Sequence, residues 1–173
     1  MKVALCLAAT LVLLNPASTR ADDFTLAAPD APGKPVSLYG SWYHMVNRHT
    51  VSKSAPYGVG SAQVYRMVPY RSIAADHRLF PPGTVLYIPE LRGKPMTDGH
   101  GHPFVHDGYV MVVDSGSGVR HGHIDFFAGG VRRNPAPLLF NGRRHHFRAY
   151  VVTDPQVVAA LKAMHDPTTP FDR

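Results

Sequence analysis

Apolar positions in this chain fall in short runs punctuated by Gly and Pro far more often than they recur with helical spacing. The segments Ser37–Val46, Ala62–Val68, Val85–Ile88, Gly108–Asp114, His123–Phe127 and Phe147–Thr153 are rich in Val, Tyr, Ile and Phe and are bounded by Gly and Pro. That punctuation predicts six strands of a barrel or sandwich. Pro81-Pro82-Gly83 reads as a turn, with Pro setting the entry angle and Gly permitting positive φ. Arg92–Asp107 is polar and glycine-rich and reads as a surface loop. One segment is convincingly helical: Asp154 is placed to cap, Pro155 suits a first turn, and Val157, Val158 and Leu161 share a face of Pro155–His165. The pattern predicts one mostly β domain over residues 36–165, closed by a short helix and followed by a frayed tail over 166–173.

The N-terminal pattern is of another kind. Lys2 precedes an apolar run from Val3 to Leu14, Asn15-Pro16 breaks it, and Thr19-Arg-Ala21 offers a small-x-small cleavage site. The run falls short of the roughly 20 residues that span a bilayer. Residues 1–21 are therefore expected to be a signal peptide cleaved near Ala21, with export to the periplasm or beyond. The Pro-, Ala- and Asp-rich stretch 22–35 is expected to be a flexible tether. The single cysteine, Cys6, lies in the signal, so the mature chain would use neither disulfides nor thiol chemistry and must stand on its core. The net charge is +6, and losing Lys2 and Arg20 leaves a moderately basic protein. Such a charge suits anionic polymers such as cell wall or lipopolysaccharide; no aromatic and basic motif for nucleic acid is present.

Aspartate is depleted from strands, because its short side chain competes for backbone hydrogen bonds. Asp125 nevertheless stands between Ile124 and Phe126, where a carboxyl group would keep its proton to higher pH. Asp114 ends the preceding strand and Asp76 follows Ser72-Ile-Ala-Ala. For those two, capping a turn competes with a catalytic role. Eleven histidines include the run His100, His102, His106, the pair His121 and His123, and His145-His146. A zinc site is open to such a set, but the glycine-rich loop gives no helical register, and solvated loop histidines are the favoured reading. Tyr39, Trp42 and Tyr43 in the first strand suit either a sugar-stacking floor or a packed core, with core packing favoured.

Four ordered blocks carry a family resemblance: Tyr70-Arg-Ser-Ile-Ala-Ala-Asp76, Pro82-Gly-Thr-Val-Leu-Tyr-Ile-Pro-Glu-Leu-Arg-Gly93, His106-Asp-Gly-Tyr-Val-Met-Val-Val-Asp114 and Ile124-Asp-Phe-Phe127. Together they resemble the three-aspartate (3D) domain of exported wall-remodelling proteins, which include lytic transglycosylases. The resemblance runs from about Val64 to Val152 and implies a six-stranded double-psi β-barrel with a short C-terminal helix. It places the signature aspartates on Asp76, Asp114 and Asp125.

The resemblance implies a peptidoglycan lytic transglycosylase in which Asp125 is the general acid/base, with Asp114 and Asp76 supporting it. The substrate would be the MurNAc–GlcNAc bond of glycan strands, cut without water, metal or cofactor to leave 1,6-anhydro ends. His123, Arg120, Tyr70, Ser115 and Gly116 are the expected substrate contacts. Arg71, Arg92 and Arg120 are either partners for muropeptide carboxylates or ordinary surface charges. Two departures stand out: Gly116 is followed by Ser117 rather than Gly, and His121 occupies a position where relatives carry Gly. A second groove wall, which another domain supplies in the transglycosylases, would here be absent or come from a second copy in a homodimer. The rival readings are a non-catalytic wall-binding or scaffolding barrel and a glycoside hydrolase, which parts from the transglycosylase on product.

Overall fold

The computed structural model describes residues 26–29, 33–44, 65–98 and 101–168. The expected signal peptide lies outside them. The chain forms β1 (Val36–Tyr43), β2 (Ser72–Ala75), β3 (Val85–Tyr87), a 3-10 turn (Pro89–Leu91), β4 (Pro95–Thr97), β5 (Pro103–Val105), β6 (Tyr109–Asp114), β7 (His123–Phe127), β8 (Gly142–Val151) and the helix α1 (Pro155–Met164). Six strands hydrogen-bond in a closed ring of order β1-β7-β2-β6-β3-β8, and β4 and β5 make a separate hairpin. The pairs β1–β7 and β2–β6 are parallel; the other four contacts around the ring are antiparallel. The fold is thus mostly β with one short C-terminal helix.

Alternation along the strands separates two cores. Leu38, Ile73, Ala75, Leu86, Val110, Val112, Ile124, Phe126 and Phe147 fill the inside of the ring. The alternate residues Val85, Tyr87, Tyr109, Met111, Val113 and Phe127 form a second cluster outside it, with Leu161 of α1. This double covering explains why all six residues of β6 are buried, and why its sequence is a continuous apolar run rather than an alternating one. Packing also fixes a glycine: a Cβ on Gly40 would lie 2.7 Å from the Phe140 ring.

The helix begins as its sequence implies, with the Asp154 carboxylate accepting from the Gln156 and Val157 amides at 2.8 and 3.4 Å. It ends one residue earlier than expected, because His165 is its cap. The His165 Nδ1 donates to the Leu161 carbonyl at 2.6 Å and Nε2 accepts from the Ser72 hydroxyl at 3.2 Å, tying the helix end to β2.

Three expectations need correction. The described part of Ala62–Val68, residues 65–68, is not a strand. Arg66 there spends its amide and its Nε–H on the helix's final carbonyls, at His165 (2.8 Å) and Met164 (2.6 Å). Arg92–Asp107 is not a plain surface loop, since it holds the β4–β5 hairpin, whose Met96 is buried in the inner core. The last strand starts at Gly142 rather than Phe147, and its basic first half, Arg143 to His146, is exposed. The segment expected as a tether is held at two residues: the Leu26 amide donates to Asp107 at 3.1 Å, and the Ala27 carbonyl accepts from the Tyr109 hydroxyl at 2.7 Å. Asp107 is itself buried against Arg71. Among the described residues no helix is long and apolar enough to cross a membrane.

Two buried imidazoles set a pH dependence. Burial lowers both His106 and His165 from 6.5 to about 4. As pH falls below 6.5 the unfolded chain therefore takes up protons that the fold refuses, and stability drops until about pH 4. The carboxyls of Asp114 and Asp125, raised by burial, act in the opposite direction. The urea midpoint is expected to fall steadily between about pH 7 and about pH 4.5. A flat profile across that window would show that the two rings are not held neutral.

Candidate active site

One transverse row of residues crosses four neighbouring strands of the ring. Ser41 on β1 stands opposite Asp125 on β7, Asp125 opposite Ala74 on β2, and Ala74 opposite Asp114 on β6. Two interstrand steps put the aspartate backbones roughly 9 to 10 Å apart. Asp125 alternates with the interior residues Ile124 and Phe126, so its side chain leaves the ring on the outer face. Strict alternation after Val110 and Val112 would aim Asp114 inward. The register slips by one residue between Ile73 and Ala74, and this bulge brings Asp114 to the outer face beside Ala74.

Asp125 is half-buried, and among the described residues its carboxylate receives one hydrogen bond, from the Ser41 hydroxyl to Oδ1 at 3.0 Å. Burial raises this carboxyl above the ordinary carboxylate value, while Ser41 and the charge of His123 pull it back in part. His123 lies two residues away on the same face. Its Nε2 is 2.8 Å from Ser41 Oγ, and its Nδ1 is 3.1 Å from the Gly118 carbonyl oxygen. Tyr39, opposite His123 in the register, stacks on its imidazole with centroids 4.9 Å apart and planes 5° from parallel.

Asp114 is more enclosed and better bonded. Its Oδ1 accepts from the Ser115 amide at 2.7 Å and its Oδ2 from the Tyr43 hydroxyl at 3.1 Å. Burial raises it, the negative charge of Asp125 raises it further, and the two hydrogen bonds oppose them. Its bond to Ser115 fits a residue that holds the turn after β6. Asp76 has a different state. It accepts from Arg78 through both oxygens and from the His121 amide at 3.0 Å, and its carboxyl is held far below the usual carboxylate range, first by Arg78. Such a group stays ionised. Asp76 thereby bolts the turn before β7, where His121 sits at a φ of 58°, onto the end of β2. Those bonds make it an anchor of the turn that leads into the Asp125 strand.

The other expected contacts divide. His123 is beside Asp125, and Ser115 and Gly116 lie in the turn after Asp114. A Cβ on Gly116 would meet Val119 at 3.0 Å, so its smallness serves the turn. Arg120 is exposed. Tyr70 is not a surface contact: it is buried in the inner core with its hydroxyl on the Thr97 carbonyl at 2.6 Å. Arg71 is likewise buried, against Asp107, and is not available to a substrate carboxylate. The histidine run does not converge among the described residues. His106 is buried, donating to the Tyr70 carbonyl (2.7 Å) and accepting from the Gly108 amide (2.9 Å), while His102 pairs with Asp98 at 3.2 Å. His100 lies outside the described residues. Among those described, no group of three or more His, Cys, Asp or Glu side chains is set to hold a metal ion.

Sequence reasoning missed Ser41 and the hydroxyl of Tyr43 as site groups. The signal was the alternation in Tyr39-Gly-Ser-Trp-Tyr43, which puts Tyr39, Ser41 and Tyr43 on one face and leaves Trp42 to pack against the inner core. Also unforeseen is the basic flank of β8, where Arg143 lies 5.6 Å over the Tyr39 ring and the His146 ring 5.4 Å from it.

A closed six-stranded ring with two desolvated carboxylates on its outer face, one on either side of Ala74, defines the structural class. Residues 71–136 match the family model of the 3D domain. Among solved structures the chain is similar to Escherichia coli MltA with bound chitohexaose, at 21% identity over 49% of this chain and 24% of that one, with a TM-score of 0.33. It is also similar to MltA from Escherichia coli described as having a unique lytic transglycosylase fold, at 24% identity over 53% and 28%, with a TM-score of 0.32. The chain thus spans about a quarter of the length of those structures. Comparison with the curated proteins gave no match.

The bond from Tyr43 to Asp114 has a measurable weight. Tyr43→Phe is expected to lower stability by about 1 kcal/mol in urea unfolding, the ordinary value of one such hydrogen bond. It should also move the Asp114 carboxyl titration upward, since the phenol favours the ionised form. An unmoved carbon resonance for Asp114 would show that the hydroxyl does not serve it.

Proposed function

We propose that this chain is an exported peptidoglycan lytic transglycosylase built on a double-psi β-barrel, with Asp125 as its general acid/base. The observation that carries the reading is the state of Asp125. It is a raised, half-buried carboxyl on the outer face of the ring, with one oxygen held by Ser41. The match to the 3D domain and the two parallel strand pairs agree with it.

The chemistry needs one proton and returns it. Asp125 in its acid form gives its proton to the glycosidic oxygen as the bond from that oxygen to the anomeric carbon breaks. The electron pair leaves with the oxygen, which becomes the GlcNAc hydroxyl. The Asp125 carboxylate then takes the proton of the MurNAc C6 hydroxyl, and O6 bonds to the anomeric carbon to close the 1,6-anhydro ring. Asp114, placed across Ala74 from Asp125, would favour cationic character at the anomeric carbon when ionised. The exposed strip Arg143, Arg144, His145, His146 suits the carboxylates of peptide stems, and Tyr39 offers a face to a sugar ring. Localisation in the periplasm or outside the cell, after cleavage near Ala21, belongs to the same proposal.

The test is digestion of purified sacculi with mass spectrometry of the products. The expected outcome is 1,6-anhydro ends from the unmodified protein and a loss of about 100-fold or more in Asp125→Asn, at unchanged thermal unfolding. Reducing ends would make the protein a hydrolase. Binding to sacculi with no cleavage would make it a wall-binding barrel, and full activity in Asp125→Asn would remove that residue from the role.

A further inference from the structure

Hydrogen-bond counting along Gly118, His123, Ser41 and Asp125 restricts where protons sit. The Gly118 carbonyl is an acceptor only, so the facing His123 Nδ1, 3.1 Å away, carries a hydrogen. The Ser41 hydroxyl has a single hydrogen to divide between two contacts, to His123 Nε2 at 2.8 Å and to Asp125 Oδ1 at 3.0 Å. Two arrangements satisfy every contact. In one, Asp125 is ionised and accepts from Ser41, while Nε2 carries a second hydrogen and donates to the serine oxygen. In the other, Asp125 holds the proton and donates to Ser41, whose own hydrogen goes to the bare Nε2. Both hold one exchangeable proton in the pair. With none, the serine must abandon one partner; with two, its own hydrogen loses both. The buried rings differ from this one: His106 and His165 each have one donor and one acceptor contact, which suits a single neutral tautomer.

We propose that His123 is a positioning residue that acts through the Ser41 hydroxyl as a proton relay, keeping a transferable proton on or next to Asp125. The inference rests on the assignment of Asp125 as acid/base above. When Asp125 is ionised, Nε2 releases its hydrogen to Ser41 as Ser41 passes its own to Oδ1, so charge and proton count balance without an outside donor. One turnover spends the Asp125 proton on the leaving oxygen and regains one from the C6 hydroxyl, so the relay ends as it began. Its parts are held from several sides. Tyr39 stacks on the imidazole from β1, with Arg143 and His146 of β8 on the far side of Tyr39. Asp114 on β6 sets its negative charge beside Asp125 and is bonded by Tyr43 of β1.

The experiment has two arms, both on the full mature protein. In the first, the side-chain carboxyl carbon of Asp125 and the ring nitrogens of His123 are followed by NMR against pH. The expected result is a two-step Asp125 titration with one step mirrored in His123, collapsing to one step in His123→Gln and in Ser41→Ala. A single step in the unmodified protein, unmoved by His123→Gln, overturns the relay. In the second arm, sacculus cleavage is measured against pH. His123→Gln and Ser41→Ala are expected to lose about tenfold or more at about pH 7 but far less in acid, with Ser41→Thr recovering the neutral limb because it keeps the hydroxyl. A loss equal at every pH overturns the relay in favour of a plain contact. If no variant, the unmodified protein included, cleaves at any pH, the assigned activity fails, and the NMR arm still decides the proton exchange.

Discussion

Ala74 is the point on which the site depends. Its strand, β2, has β7 on one side and β6 on the other, and Ala74 stands opposite both Asp125 and Asp114. Two carboxylates 11 positions apart in a chain joined by a turn would ordinarily sit on adjacent strands of a hairpin. Here β2 is inserted between them, so they flank a methyl group instead of each other. The separation matters electrostatically. Asp125 is close enough to raise Asp114, yet the two groups are spaced by a full strand, and each keeps its own set of donors. The slip at Ile73/Ala74 is part of the same arrangement, because without it the chain's alternation would turn Asp114 into the inner core.

Closing the ring asks more of the short strand β2 than four residues can supply. Its support comes from the residues around it. Ser72 accepts from the Val68 amide at 2.7 Å and donates to His165, Asp76 receives Arg78 and the turn before β7, and the Arg71 carbonyl accepts from Met111 at 2.7 Å. Three loops and the helix end are thus fastened to one strand. The polar groups that do this are nearly all buried and mutually satisfied, which is the condition under which burying them costs little. Of the three aspartates, the one with the strongest partners, Asp76, is the one committed to scaffolding.

Legibility in the sequence followed locality. β7 was readable to the residue, since an aspartate flanked by Ile and Phe marks both the strand and its odd member. The helix was readable from Asp154 and Pro155, with only its final residue displaced by a capping histidine. β6 was readable as a strand ending in Asp114, with only its first residue displaced. What was not legible depends on contacts distant in the chain. The basic half of β8 carries no apolar pattern, because Arg143 to His146 are all exposed and fall in the register shift between the pairs Gly40/Gly142 and Leu38/Phe147. Residues 65–68 look like a strand by composition, yet their donors go to carbonyls about 100 positions away. Tyr70 reads like a motif residue facing a ligand, but a φ of 62° turns it into the core against Phe104.

The same distinction accounts for Ser41. Nothing local marks a serine between Gly40 and Trp42 as chemical. Its importance arises from parallel pairing of β1 with β7, which sets Ser41 beside Asp125 and on the diagonal from His123. A hairpin, which pairs strands antiparallel, could place one such neighbour by short-range design. A parallel pair requires a long connection, here some 80 residues, and so draws its partners from distant sequence. The aspartate could be recognised alone because its environment is in its own strand. The hydroxyl and imidazole that govern its proton become visible only once the ring is closed.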